Sequence, residues 1–252
     1  MNADFEWPSD DEIDAFFANR SPLSALPDAG DALRELMQAA GTERAEGFSE
    51  QLDGNSVVLL VGRPRDFETF AAGMVEQLED QGTTVAVGCL WLSSSELPGG
   101  GAGNPGSQVM GSYVDDAFED ATHACVVTTV LDDWGTATAM LLWTAHKAPN
   151  AKLSLVGHRA DECELDDALA EVSLACGEGV VTPDFGFVDP SYDFERSNEF
   201  ADVSCVDDQA HVPPFLAHRM EFQAQRRRDP TPPPPASSTP SPPAPVRPGG
   251  QS

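Results

Sequence analysis

The sequence predicts a three-layer α/β domain, a parallel sheet with helices on both faces. Short, continuously apolar runs alternate with amphipathic stretches along the middle of the chain, and both faces of a parallel sheet must be covered for such runs to occur. Hydrophobic residues make up 40% of the 252 residues and charged ones 22%, enough apolar material for one large core or two small ones. No run of about 18 apolar residues occurs, which predicts no membrane span.

The elements follow in order. Residues 28–40 place Leu33, Leu36 and Met37 at helical spacing, and Gly41 is expected to end that helix. Val57 to Val61 reads as a buried strand, and Phe67 to Leu78 as a helix with Phe70, Met74, Val75 and Leu78 on one face. Thr83 to Leu92 is the next strand. Residues 94–112 (SSELPGGGAGNPGSQVMGS) are rich in Gly, Pro and Ser and predict a long loop. Ala124 to Leu131 is a third strand, Thr136 to His146 a helix, and Ala151 to Val156 a fourth strand. A helix from Glu164 to about Ala175 and a strand from Gly179 to Thr182 close the pattern, and the signals weaken beyond Pro183.

Three regions are expected. Residues 1–19 form an acidic arm carrying Phe5, Trp7, Phe16 and Phe17, read either as a helix laid on the domain or as a partner-binding arm. Residues 20–222 form the α/β domain. Residues 223–252 are expected to form a disordered tail, basic at Arg226 to Arg228 and then proline-rich, which cannot build a core and has spacing suited to a proline-binding protein partner.

Charge and cysteines narrow the setting. The formal net charge is -28, which repels phosphate backbones and argues against direct nucleic-acid binding. Lysine occurs only at Lys147 and Lys152, and aspartate outnumbers glutamate. Such a surface suits high salt, where the Debye length is roughly 3 Å at about 1 M, and it also suits a genome poor in Lys codons. Met1 to Asp14 lacks a basic segment followed by an apolar one, which predicts no secretory leader. Cys89, Cys125, Cys163, Cys176 and Cys205 are widely spaced with no zinc-finger pattern, so a reducing, cytoplasmic setting is expected. His123 and Cys125 share a strand face and read as core residues before they read as a dyad. His211 and His218 lie in HVPPFLAHR, a docking segment around Pro213, Pro214 and Phe215.

Ligands of open α/β sheets bind beyond the carboxyl ends of the strands, and two turns there carry candidate chemistry. In Gly62-Arg63-Pro64-Arg65-Asp66, Arg63 and Arg65 beside a helix N-terminus could fork onto phosphate oxygens, or could pair with the many carboxylates. In Thr128 to Thr138, Gly135, Thr136 and Thr138 open a helix and could hold a phosphate through N–H and hydroxyl groups. Asp132 and Asp133 beside them could hold magnesium or ribose hydroxyls, although one of them could equally cap the helix.

With those residues in view, GRPRDFETFAAGMVEQL and VVTTVLDDWGTATAMLLWTAHKAPNAKLSLVGHR resemble the pyrophosphate turn and the signature segment of the type I phosphoribosyltransferases, over about residues 28–160. The family signature is an acidic pair, two apolar residues, a variable residue, then Thr-Gly-x-Thr. Here Thr128-Thr129 stand in place of the acidic pair and Asp133-Trp134-Gly135-Thr136 in place of the phosphate loop. The resemblance implies a phosphoribosyltransferase-like fold. It implies transfer of a phosphoribosyl group between diphosphate and a nucleobase with Mg2+, or a non-catalytic relative that binds or regulates through the arm and the tail. In the catalytic case Arg63 and Arg65 would sit at the pyrophosphate, Gly135, Thr136 and Thr138 at the 5′-phosphate, and Asp132 and Asp133 at metal or ribose as the catalytic pair. The expected partners are phosphoribosyl diphosphate or another phosphorylated small molecule, a protein on the tail, and a second copy of the chain. VLDDWGTATAMLLWTA is also similar, more weakly, to the sugar-phosphate isomerases related to initiation factor 2B, without their upstream Gly-Ala-Asp turn.

Overall fold

The computed structural model describes residues 28–96, 105–131, 133–189 and 212–228. The N-terminal arm, Cys205, His211 and the proline-rich tail lie outside them, as does Asp132.

The elements run α1 (Asp28–Ser49), β1 (Val57–Gly62), α2 (Pro64–Phe67), α3 (Phe70–Asp80), β2 (Thr84–Glu96) and β3 (Pro105–Val114). A 3-10 turn (Asp116–Asp120) leads to β4 (His123–Leu131), α4 (Trp134–Lys147), β5 (Lys152–Asp161), α5 (Glu162–Cys176), β6 (Val181–Asp189) and α6 (Pro214–Arg228). The sheet order is β3-β2-β1-β4-β5-β6. Every pairing is parallel except β2 with β3, which is antiparallel. One core layer joins the sheet to α4 and α5 through Met140, Leu141, Trp143, Leu165, Ala168 and Val172. The other joins it to α1, α3 and α6 through Phe48, Phe70, Met74, Val75, Leu78 and Leu216. The three-layer expectation therefore holds. The central strands are apolar throughout because they are covered from both sides; all nine residues of β4 are buried.

Several details depart from expectation: β5 runs on to Asp161 where the apolar run stops at Val156, β6 spans Val181–Asp189 and not Gly179 to Thr182, and the chain expected to be tail from residue 223 is helical to Arg228. The stretch 94–112 is not one loop. β2 continues to Glu96, and β3 returns from Pro105 in antiparallel register, with Leu90 opposite Ser112 and Glu96 opposite Pro105. A strand paired on one side only would leave a row of unmet N–H and C=O groups, and β3 supplies the partners along that edge of β2. Gly41 does not end α1, which runs on to Ser49. It is instead a crossing point. A Cβ at Gly41 would stand 2.0 Å from the Phe70 carbonyl oxygen, and one at Gly73 would stand 2.0 Å from that of Gln38. The two glycines let α1 and α3 touch backbone to backbone, which turns Met37, Ala45 and Phe48 inward and leaves Leu36 61% exposed. Finally, the helix expected over 67–78 is broken at Glu68 and Thr69 into α2 and α3.

Cys89 and Cys125 are buried free thiols and Cys163 and Cys176 exposed ones. Burial pushes the Cys125 thiol far up, and the Asp184 charge adds to this, so it is inert at neutral pH. His123, also buried, meets the Phe48 ring edge-on and has a pKa pushed down by burial, then by Lys152. The docking reading of HVPPFLAHR matches what is seen of it: Leu216 is fully buried and Phe215 stacks on Phe67. Among the described residues no helix is long and apolar enough to cross a membrane.

Candidate functional site

β1 and β4 are parallel neighbours whose crossovers leave in opposite directions. α3 carries the chain from β1 to β2 on one face, and α4 carries it from β4 to β5 on the other. Their carboxyl ends therefore flank a topological switch point, where open α/β sheets leave a crevice. Both candidate turns lie there.

The first turn is built around Asp66. Pro64 at the start of α2 fixes the backbone there, and Asp66 sits in its first turn. The Asp66 carboxylate is fully buried. One oxygen accepts from the Arg63 N–H and the Arg63 Nε, both at 3.1 Å; the other accepts from the Thr129 N–H at 2.8 Å. Burial alone would raise its pKa. Arg63, Arg65 and the Thr129 N–H outweigh burial and hold the carboxyl below its ordinary value. Arg63 also donates to the Thr128 hydroxyl at 3.1 Å, and that hydroxyl donates to the Val130 carbonyl at 2.8 Å. The Thr69 and Thr129 hydroxyls meet at 2.7 Å. Arg63 is thus 6% exposed and turned inward, spanning the ends of β1 and β4. Arg65 is half-buried one residue away, its charge acting on Asp66.

The second turn is the start of α4. Asp133 is extended, as an N-cap residue must be, and its two oxygens take the Gly135 N–H at 2.9 Å and the Thr136 hydroxyl at 2.6 Å. The Ser107 hydroxyl, from β3, meets Thr136 Oγ1 at 3.0 Å. Glu164, in the first turn of α5, accepts the Trp134 N–H at 2.7 Å. Burial pushes the Glu164 pKa up. The Trp134 bond works against this, but Asp133, Asp161 and Asp167 add to it. Two of the N–H groups that open α4, together with the Thr136 hydroxyl, therefore end on the chain's own carboxylates. Thr138, one turn in, is buried, and its hydroxyl has no hydrogen-bond partner among the described residues.

The predicted residues fall into two groups. Arg63 and Arg65 are joined to Asp66 and the end of β4; Gly135 and Thr136 are joined to Asp133. Asp132 lies outside the described residues. The reading of one aspartate as a helix cap fits Asp133. Sequence reasoning missed Asp66, Thr69, Ser107 and Glu164. Asp66 could have been found as the acidic residue four positions after a strand end, where a helix's first turn favours a carboxylate. Glu164 and Ser107 come from other elements and carry no local signal. Among the described residues no three His, Cys, Asp or Glu stand together as a metal-binding group.

No protein-family model matches the chain. No curated protein matches it. Solved structures do. The L. donovani hypoxanthine-guanine phosphoribosyl transferase is 20% identical with a TM-score of 0.41, over 66% of this chain and 85% of that chain. The Staphylococcus aureus hypoxanthine phosphoribosyltransferase is 12% identical with a TM-score of 0.42, over 65% and 82%. The Trypanosoma cruzi hypoxanthine phosphoribosyltransferase, in complex with the product IMP, is 16% identical with a TM-score of 0.41, over 66% and 84%. The chain is similar to these structures.

Proposed function

We propose that this is a phosphoribosyltransferase-like protein that acts by binding or regulation and does not transfer a phosphoribosyl group. The observation that carries this reading is Asp133, whose carboxylate takes the Gly135 N–H and the Thr136 hydroxyl. Those are donors that the resemblance assigns to a 5′-phosphate. A phosphate would have to displace a carboxylate from two charge-assisted bonds, at roughly 1.5–3 kcal/mol each. That weakens binding by about 10²- to 10⁴-fold. Thr128 and Thr129 support the same reading. They stand where the family's ribose-binding acids would be, yet they are buried and bonded to Arg63 and Thr69.

The transfer reading keeps one observation in its favour, the buried Thr138 hydroxyl without a partner, a donor suited to a ligand oxygen. In that reading Arg63 and Arg65 face the pyrophosphate, Gly135, Thr136 and Thr138 the 5′-phosphate, and Asp132 and Asp133 the ribose or Mg2+. The described residues do not build the magnesium site: both Asp133 oxygens already accept from the chain, and no further carboxylate completes a cluster.

A thermal-shift titration of the full chain with phosphoribosyl diphosphate and magnesium at pH 7 separates the two. The expected result is no change of midpoint at millimolar ligand. A ligand present at a hundred times its dissociation constant would add about 2.7 kcal/mol. A shift of that size would overturn the reading that Asp133 keeps the phosphate out, and consumption of phosphoribosyl diphosphate in the presence of a purine base would sink the non-catalytic reading.

A further inference from the structure

The C-terminal helix α6 is held differently from the rest of the fold. It contributes one fully buried apolar side chain, Leu216, with Val212 and Phe215 half-buried beside it. The rest of its seat is polar and converges on Asp115. Arg219 donates through Nε to Asp115 Oδ2 at 3.2 Å, through one terminal nitrogen to Glu79 at 2.8 Å, and through the other to the Val85 carbonyl at 3.0 Å. Gln223 donates to Asp115 Oδ1 at 2.7 Å, which also accepts from the Tyr113 hydroxyl, while Asp115 Oδ2 accepts the Val87 N–H at 3.0 Å. One guanidinium thus spans α3, β2 and the residue after β3. Removing it would strip α6 of most of its polar seat while leaving both core layers of the sheet in place.

What α6 covers gives this its meaning. The Phe215 ring lies parallel to that of Phe67, centroids 6.1 Å apart, and the Arg219 guanidinium lies over the Phe215 ring, 5.5 Å from its centroid. Phe67 is fully buried and ends α2, directly after Asp66. Phe215 therefore touches both the Arg219 guanidinium and Phe67, and Phe67 ends the turn that keeps Arg63 inward on Asp66 and Thr128.

We propose that α6 is a conformational strap: the Arg219–Asp115 latch holds the β1–α2 turn in its Arg63-inward arrangement, and undocking of α6 loosens that turn and frees Arg63. The physical basis is local. Loss of the Phe215 cover exposes Phe67 to water, so the short α2 loses the packing that fixes it, and a four-residue helix has no stability of its own. Arg63 then exchanges its inward bonds for solvent or for an anion at the switch-point crevice.

Hydrogen exchange on the full chain, wild type against Arg219→Ala, tests the coupling. Segments 212–223 and 63–69 should both exchange at least tenfold faster in the variant, with β5 (152–161) unchanged. Phenylglyoxal labelling of Arg63, followed by peptide mass spectrometry, should accelerate by a similar factor. Faster exchange in 212–223 with 63–69 unchanged would overturn the proposal, as would unaltered labelling of Arg63. Should β5 also accelerate, the sheet itself has loosened. Gln223→Ala, which removes only the 2.7 Å bond, then decides by the same comparison: joint acceleration of the two segments upholds the strap, and acceleration of 212–223 alone rejects it.

Discussion

Replacing Asp66 with alanine would take a buried, charged acceptor away from the Arg63 guanidinium. Arg63 is 6% exposed, and Asp66 is a fully buried carboxylate within salt-bridge distance of it, Nε to Oδ2 at 3.1 Å. The variant also removes the acceptor of the Thr129 N–H, a buried donor on a central strand. Breaking a buried pair by deleting one partner costs about 3–5 kcal/mol, because the remaining charge stays desolvated. Total stability is of order 5–15 kcal/mol, so this single change removes a large share of it. For a domain of roughly 150–250 residues each kcal/mol moves the midpoint by about 2–4 °C, giving an expected fall of about 6–20 °C. Urea unfolding of the wild type, Asp66→Ala, Arg63→Met and the double variant measures this directly. The double variant should be less destabilised than the sum of the singles, since with both charges gone only the Thr129 N–H has lost its acceptor and neither charge of the pair stays buried without the other. A loss below about 1 kcal/mol in Asp66→Ala, or strict additivity in the cycle, would refute the buried-pair account. The pH dependence gives a second check. Because the folded pKa of Asp66 is depressed, its contribution is fully present above the unfolded value near about 3.9 and is lost as pH falls through the folded one. The wild type should lose stability to acid more steeply than Asp66→Asn.

Other outcomes follow from the same geometry. Asp133→Ala removes the α4 cap and should cost about 0.5–2 kcal/mol in urea unfolding; an unchanged midpoint would mean that the bonds to Gly135 and Thr136 stabilise nothing. Glu164→Gln should raise the melting temperature at pH 7. The folded pKa of Glu164 is raised, so wild-type stability falls as pH climbs above the unfolded value near about 4.3. Glutamine keeps the acceptor for the Trp134 N–H without the charge, so the gain should vanish near pH 4; an equal difference at both pH values contradicts this. Gly41→Ala drives a methyl to 2.0 Å from the Phe70 carbonyl oxygen, which the two backbones can relieve only by moving apart. It should cost about 1–3 kcal/mol, and a neutral result in thermal unfolding would show that the α1–α3 contact is looser than its geometry.

Much of the architecture is legible locally. Val57 to Val61 and Ala124 to Leu131 announce central strands because a strand covered on both faces needs apolar residues at every position. The face of α3 is equally plain, since Phe70, Met74, Val75 and Leu78 are all buried. β3 was hidden for the complementary reason. Its residues Pro105 to Val114 are Ser- and Gly-rich, so no apolar run marks it, and what makes it a strand is the open edge of β2. Gly41 misleads in a similar way. A glycine after an amphipathic run usually stops a helix, and only the position of Phe70 on another helix makes it a contact surface.

The site divides along the same line. The cap by Asp133 is local chemistry, two and three residues from its donors, and the sequence could offer it as an alternative to a metal or ribose ligand. The occupation of the Trp134 N–H by Glu164 is not local, nor is the clamp from Asp66 to Thr129, 63 residues away. By itself the sequence determined where β1 and β4 end and therefore where a crevice must be, because the burial of a central strand depends on its own run of residues. Only the tertiary structure decided that this crevice is lined by groups already bonded to one another. A buried carboxylate takes whichever donors the packed elements bring within about 3 Å, and that proximity exists only once β1, β4 and α5 have assembled.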